Sequence, residues 1–351
     1  MTRTVLGFSG NVRTSAAIPW LIEHHGGEVV TVTLDFGQGE ELAAVREQAL
    51  ALGAVRAHVV DVREELVRQY LLPALRAGAL MDAHALVRPL LAKRLVEIAR
   101  MEMAGAIAHC APSGSDAEMA IESSIHALEP AIEVILPTVA SGLSAADLEA
   151  FARDHGVHVP PQPAVHVEAS VWGRCLTPRG AAPVPADAFT LTRGLSECPP
   201  DPALVDVAFI EGVPVAANGV EMSTVELIES LETIAGAHGV GRSVGSDVAL
   251  ETPAARVLTL AYDALESLVL EPDVARLKAQ LAGIYSIAIR GGRWFSDMRE
   301  AIDAFSRVTG MRVSGTVRLA LRGGECTVIG CETADAAATT RSSVSRSRAV
   351  A

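Results

Sequence analysis

The amino-acid sequence predicts an α/β protein, with a doubly wound parallel sheet in its N-terminal half and an α+β second domain. Strand and helix signals alternate from Thr4 to Leu136, the pattern of parallel strands joined by crossover helices. Prolines at 160, 161 and 163 then mark a change of composition, beyond which strands mix with long helices. Half of the 351 residues are hydrophobic, ample for cores in about two or three compact units. The expected division is 1–160, 161–331 and a flexible tail over 332–351.

Each element has its own signal. Thr4–Phe8 is a short apolar strand, and a Ser/Gly/Asn/Thr loop leads from it into an apolar helix over about Ala16–His24. Gly26-Gly27 closes that helix, with His24 and His25 where cations suit the helix dipole. Val29–Leu34 is β-branched enough to be a buried parallel strand. A helix over Glu40–Leu52, a strand over Ala57–Val60, a helix over Leu90–Met103 and strands over Ala106–His109 and Glu133–Leu136 follow. In the second half, strands are expected over Val205–Glu211, Val213–Ala217, Gly315–Leu321 and Cys326–Ile329. Helices are expected over Thr224–His238, Ala254–Leu268, Pro272–Ser286 and Asp297–Thr309. The region Pro178–Pro202 reads as loop, and the arginine-bearing stretch Arg341–Arg348 as solvated tail.

Composition excludes several roles. A net charge of −13 argues against nucleic acid as a partner, and no apolar run reaches the ~20 residues of a membrane span. The N-terminus lacks a signal peptide's apolar stretch, and the five cysteines show no paired or metal-ligating spacing, so a cytoplasmic protein is expected. Ten histidines without H-E-x-x-H spacing give no metal site. Of 29 basic residues, Lys93 and Lys278 are the two lysines and the other 27 are arginine. Lysine is the usual point charge on a transferring phosphate, so any phosphate here relies on arginine and backbone amides.

The loop Phe8-Ser9-Gly10-Asn11-Val12-Arg13-Thr14-Ser15 follows a strand and opens a helix. Two readings stay open from spacing alone: a phosphate cradle of backbone amides, or an ordinary helix start capped by Thr14 or Ser15. The loop resembles the pyrophosphate loop of argininosuccinate synthases, Ser-Gly-Gly-x-Asp-Thr-Ser. Asp35-Phe-Gly-Gln-Gly-Glu-Glu, Arg88-Pro-Leu-Leu-Ala-Lys93, Ser170-Val-Trp-Gly-Arg-Cys175 and Gly212-Val-Pro-Val-Ala-Ala-Asn-Gly219 resemble further segments of that family. So do Ile234-Ala-Gly-Ala-His-Gly-Val-Gly-Arg242 and Trp294-Phe-Ser-Asp-Met-Arg-Glu-Ala301, and the likeness is collinear over residues 4–331.

The resemblance implies a PP-loop nucleotide-binding domain, a synthetase-like second domain and a C–N ligase using ATP and Mg²⁺. In that chemistry ATP adenylates the ureido oxygen of citrulline, and the amine of aspartate displaces AMP. It assigns nucleotide contacts to Ser9, Gly10, Arg13, Thr14, Ser15, Asp35, Phe36, His109 and Gly114. It assigns substrate contacts to Arg88, Asp116, Ser170 and Cys175, and no residue a catalytic role. The family is homotetrameric through a C-terminal helix that a short tail replaces here, so a homo-oligomer of undefined order is expected.

Departures from the family pattern fall at every subsite. Asn11 stands for the second glycine, where a Cβ is costly if backbone must approach phosphate, and Arg13 stands for the aspartate. Arg13 either contacts phosphate or lies in solvent. The loop His109-Cys-Ala-Pro-Ser-Gly-Ser-Asp116 lacks the family's lysine and keeps one acid of its Asn-Asp pair. The stretch Met81–Arg88 is shortened, Cys175 replaces a serine, Thr177 an acid and Leu250 a tyrosine, and a segment between Arg242 and Glu251 is missing. Cys175 is either a packed thiol or a nucleophile with His84, His109 or His166 as base; Trp172 and Trp294 read as packing residues.

These departures predict a divergent ligase of specialised metabolism, joining an amine or amino acid to a carbonyl or ureido-type acceptor other than citrulline. The alternatives are an inactive paralogue acting as a binding partner, and an ATP-independent lyase or transferase reusing the cleft.

Overall fold

The computed structural model describes residues 3–39, 42–79, 85–142, 144–161, 163–245 and 247–334. The expected helix start at Glu40, the first half of the shortened stretch (81–84, with His84), and the Arg341–Arg348 tail lie outside the described residues. The chain divides into two compact units, one of residues 1–66, 85–162 and 287–299, the other of 67–84, 163–286 and 300–351.

Unit 1 is a parallel sheet with helical crossovers. Its strands are β1 (Arg3–Gly7), β2 (Glu28–Asp35), β3 (Arg56–Asp61), β4 (Ala106–Ala108) and β5 (Glu133–Ile135), in the order β3-β2-β1-β4-β5. Helices α1 (Val12–His25), α2 (Leu42–Ala51) and α3 (Arg63–Leu66) come from the first half of the sheet. After α3 a π-helical turn (Val67–Leu71) leads to α4 (Leu72–Ala77), both within unit 2. Unit 1 continues with α5 (Val87–Met101), α6 (Asp116–Leu128), α7 (Pro137–Ala140) and α8 (Ala145–Asp154).

Residues 29–34 of β2 are buried on both faces, as a central parallel strand requires. Leu6, Val29, Ala106 and Ala108 pack with Ile18, Trp20 and Leu21 of α1 in one core cluster. Helix α1 starts four residues earlier than the apolar periodicity suggests, because Asn11 rather than Thr14 or Ser15 caps it. Gly26 ends it in the left-handed conformation at φ 62°, with His24 and His25 in the last turn.

The amino ends of the strands are tied by Glu102, at the close of α5. Its carboxylate meets Arg3 of β1 at 3.0 Å, Arg56 of β3 at 2.7 Å and His58 of β3 at 2.8 Å. Burial pushes this carboxyl upward, but the hydrogen bonds from His58 and Arg56 outweigh it and hold the group below its ordinary value.

Unit 2 holds two antiparallel sheets. One has the order β10-β9-β8-β13-β14, from β8 (Ala203–Ile210), β9 (Val213–Ala217), β10 (Val220–Glu221), β13 (Gly315–Arg322) and β14 (Glu325–Thr333). The other, β11-β12-β7-β6, joins β6 (Val165–Ser170), β7 (Gly173–Pro178), β11 (Arg242–Val244) and β12 (Ala249–Glu251). Strand β14 extends two residues into the stretch read as tail. Strands β11, β12 and β6 escaped the sequence pattern because β11 and β12 are three residues each and β6 is exposed over His166–Glu168.

Helices α9 (Thr224–Ala237), α10 (Pro253–Val269), α11 (Pro272–Arg290) and α12 (Asp297–Gly310) complete the fold. Val205, Val207 and Phe209 alternate inward along β8, and Phe209 meets Tyr262 of α10 edge-on at 6.0 Å. Lys278 of α11 is buried, ion-paired with Glu266 and 4.8 Å from the Tyr262 ring centroid. In unit 1, Lys93 pairs with Glu65 at 2.7 Å.

The proline-rich connection is pinned by one carboxylate. Glu251, fully buried on β12, accepts from Arg174 Nη1 at 2.9 Å and from the amides of Thr190, Leu191 and Thr192 at 3.1, 3.1 and 2.9 Å. The Thr192 hydroxyl adds a bond at 2.7 Å. Removing this group takes the carboxylate from a half-buried guanidinium, which keeps Ala188 O and Thr190 as partners, and leaves three amides without their acceptor, so Glu251→Ala is expected to destabilise the protein by about 3 kcal/mol. The measurement is the urea midpoint of the full chain; a loss under about 1 kcal/mol, the scale of an exposed pair, contradicts this account.

Candidate active site

In unit 1 the strand order reverses at β1, since the chain proceeds to β2 and β3 on one side and returns to β4 and β5 on the other. Open α/β sheets bind ligands outside the carboxyl ends of the strands at such a reversal. The loops after β1 and β4 form its two lips, and they touch: Cys110 Sγ lies 3.7 Å from the carbonyl oxygen of Arg13.

The first lip is built by its own polar groups. Phe8 is anchored to β2, its amide donating to Val32 O at 2.8 Å and its carbonyl accepting from the Thr33 hydroxyl at 3.0 Å. Gly10 takes φ +74°, a conformation that side chains rarely adopt. Asn11 is extended at φ −73°, so this position does not need glycine; its Oδ1 accepts from the Thr14 amide at 3.0 Å. The cost expected of a Cβ here is therefore not a backbone cost. The Thr14 hydroxyl donates to Asn11 O at 3.1 Å and stands 3.4 Å from both the amide and the hydroxyl of Ser9.

Ser15 is fully buried, with its hydroxyl 3.3 Å from Gly10 O. Gln48 of α2 was not evident in the sequence. Its Nε2 donates to Ser15 Oγ at 3.1 Å and to Gly10 O at 3.3 Å. Val45, one helical turn earlier, lines the same glycine, so a polar residue three places after an inward valine was the available signal.

The first turn of α1 carries no acid, and Arg13 within it is exposed, with no ion pair among the described residues. By helix geometry the leading amides of α1 lack intrahelical acceptors. Hydroxyls, a left-handed glycine and an unopposed helix dipole fit a polyphosphate. At the neighbouring strand, Asp35 uses Oδ1 to accept from the Gly37 amide at 2.8 Å, and the Phe36 amide donates to Gln38 at 2.7 Å, so this turn is held by its own residues.

The second lip is less suited to an anion. His109 is buried, with Nδ1 accepting from the Ala111 amide at 3.4 Å and Nε2 lying 3.9 Å from Glu122. Burial drives its pKa down to about 4 against the opposing pull of Glu118. The Cys110 thiol, half-buried, is pushed up to about 12 by loss of hydration against the pull of Arg13. The Gly114 amide donates to the Glu118 carboxylate, and Asp116 is exposed in the first turn of α6. This loop offers an anion a neutral imidazole and two nearby acids.

The remaining assigned residues are placed separately. Arg88 is half-buried in the first turn of α5. In unit 2, Ser170 accepts from the Trp172 amide at 3.2 Å in the β6–β7 turn. Cys175 of β7 is buried and lies directly opposite Leu250 of β12. The two exchanged positions, one expected as serine and the other as tyrosine, are thus cross-strand neighbours. Trp172 and Trp294 are buried, as packing residues should be. Among the described residues no group of three or more His, Cys, Asp or Glu side chains could hold a metal, and no helix is long and apolar enough to cross a membrane.

The neutral His109 gives a pH prediction. Its folded pKa lies below the 6.5 of the free side chain, so the unfolded chain takes up the proton first and stability falls as pH drops from about 6.5 towards 4. The loss attributable to this group reaches about 3 kcal/mol. His109→Gln is expected to flatten that part of the stability–pH curve; equal slopes in the two proteins would refute it.

Two families of domains match this chain: the Arginosuccinate synthase N-terminal HUP domain over residues 3–158 and the Arginosuccinate synthase C-terminal domain over residues 168–345. The argininosuccinate synthase of Synechococcus elongatus is 37% identical over 353 aligned residues, covering 93% of this chain and 87% of that protein. That of Pelotomaculum thermopropionicum is 39% identical, covering 94% and 88%, and that of Bacillus cytotoxicus 38%, covering 93% and 86%. Both halves of the chain, and the loop at the strand reversal, therefore have one origin: the protein belongs to the argininosuccinate synthase family of ATP-dependent ligases.

Proposed function

We propose that this protein forms a carbon–nitrogen bond at the expense of ATP, on a carbonyl or ureido-type acceptor other than citrulline. The observation that carries this reading is the contrast between two places in the fold. The β1 loop keeps a cradle of hydroxyls and amides, while Cys175 and Leu250 make an apolar pair where the family resemblance places serine and tyrosine. A ureido head and an amino-acid backbone need polar partners, and an apolar pair supplies none.

In this reading Ser9, Gly10, Thr14 and Ser15 hold the nucleotide's phosphates, with Gln48 fixing Gly10 and Ser15 from behind. Arg13 takes the place of the absent loop lysine, and Mg²⁺ arrives with the phosphates. ATP supplies the adenylyl group that activates the acceptor oxygen, and an incoming amine displaces AMP. Asp35 and Phe36 border the nucleotide, and His109, neutral and buried, shapes the far lip. Arg88, Asp116, Ser170 and Cys175 belong to the substrate sites, and the working form is a homo-oligomer.

A second reading, an inactive partner protein, draws on one observation. The Glu118 carboxylate occupies the Gly114 amide, in the loop that would otherwise receive an anion.

The test is turnover: the full-length protein with ATP, Mg²⁺ and a matrix of amines against ureido, amide and carboxylate acceptors, read as AMP and pyrophosphate. Formation of both with a non-citrulline acceptor, at a rate above that with citrulline and aspartate, is expected. Citrulline as the best acceptor overturns the substrate reading, and ATP binding without turnover on any pair favours the partner protein. Arg13→Ala is expected to weaken ATP binding about tenfold, as loss of a charge-assisted contact does. Unchanged affinity by calorimetry places Arg13 in solvent instead.

A further inference from the structure

Gln48 reaches the β1 loop from α2, and what it holds there is a single peptide group. Its Nε2 donates to Gly10 O at 3.3 Å, and the Ser15 hydroxyl donates to the same oxygen at 3.3 Å. A second bond from Nε2 goes to Ser15 Oγ at 3.1 Å, so the two donors on Gly10 O also brace each other. A Cβ at Gly10 would stand 3.1 Å from Gln48 Oε1 and 3.4 Å from Val45, so α2 closes that side of the loop.

In a trans peptide the carbonyl and the following amide point in opposite directions. With Gly10 O turned towards α2, the Asn11 amide faces away from it, on the side where Ser9 and Asn11 are exposed. Among the described residues that amide meets no acceptor, whereas the Thr14 amide is taken by Asn11 Oδ1 and the Ser15 amide by Asn11 O. Gly10 makes the orientation reversible, because a glycine at φ +74° has other conformations open to it. A half-turn of the Gly10–Asn11 peptide would bring the carbonyl oxygen to the open side. One orientation offers an anion a donor, and the other opposes it with the negative end of a dipole.

We infer that Gln48 is the positioning residue that sets the loop in its anion-receiving form, by holding the Gly10–Asn11 peptide with its amide outward. It acts through Gly10 and Ser15 and not on the ligand. This role rests on the ligase reading above only in taking a polyphosphate as the ligand, and it is independent of Arg13, whose contribution there is charge.

The sequence supplies its own probe, since Asn11 and Asn218 are its two asparagines. Asn218 follows β9, its amide donating to Asp206 O at 2.8 Å, and serves as an internal reference. The full-length protein carrying backbone ¹⁵N-asparagine is titrated with inorganic pyrophosphate and Mg²⁺ and followed by NMR. The Asn11 amide signal should move while that of Asn218 stays. Gln48→Met keeps an unbranched side chain in the helix and removes both donor bonds. Calorimetry should then give affinities about tenfold weaker for pyrophosphate and for ATP, the loss expected of a missing hydrogen bond. The Asn11 signal of this variant should also differ from that of the wild type before any ligand is added. A lowered melting temperature with unchanged affinities makes Gln48 a structural strut and overturns the proposal. In the wild type, ligand bound with the Asn11 signal unmoved overturns this role and leaves the ligase reading standing. Binding of neither pyrophosphate nor ATP overturns both.

Discussion

Strand β1 has a parallel partner along each edge, and the geometry of unit 1 follows from that constraint. Its register fixes Thr4–Leu6 against β4 and Arg3–Gly7 against β2. The chain must leave β1 towards one side and come back on the other, so the two connections diverge at the carboxyl ends and leave a crevice between them. At the amino ends the opposite happens. Glu102 draws Arg3, Arg56 and His58 together, closing that end with charge-assisted hydrogen bonds. One end of the sheet is consequently tied by ion pairs, while the other carries the loops.

Most of this architecture was legible from the chain because parallel strands buried on both faces read as continuous β-branched runs. The β2 segment was found for that reason, and the long helices of the second half were found to within a few residues by their helical pattern. Where the sequence misled, a local polar contact had overridden periodicity. Helix α1 extends back to Val12 because Asn11 supplies the cap, although the apolar pattern begins only at Ala16. Gln48 escaped notice because its partners are a carbonyl and a hydroxyl 38 and 33 residues away, a relation no local pattern encodes. The short strands β11 and β12 owe their existence to pairing with β7 rather than to propensity, and three residues are too few to show alternation.

The cross-strand position of Cys175 and Leu250 bears on how two positions can change together. Replacing one polar residue of a touching pair leaves its partner buried and unsatisfied, whereas replacing both by apolar groups is nearly neutral. The paired exchange therefore keeps the sheet intact. Glu251, the next residue along β12, points to the opposite face and retains its full set of donors. Alternation along a strand lets one face preserve the fold as the other diverges.

The scarcity of lysine acquires a further meaning once its two positions are seen. Lys278 is sealed beneath α10 with Glu266, and Lys93 is engaged by Glu65. Positive charge at the exposed surface of the described residues is thus carried by guanidinium groups, which do not lose their protons in water at any pH a cell meets. Acylation of side-chain amines, whether by an enzyme or by a reactive metabolite, has almost no purchase on such a surface.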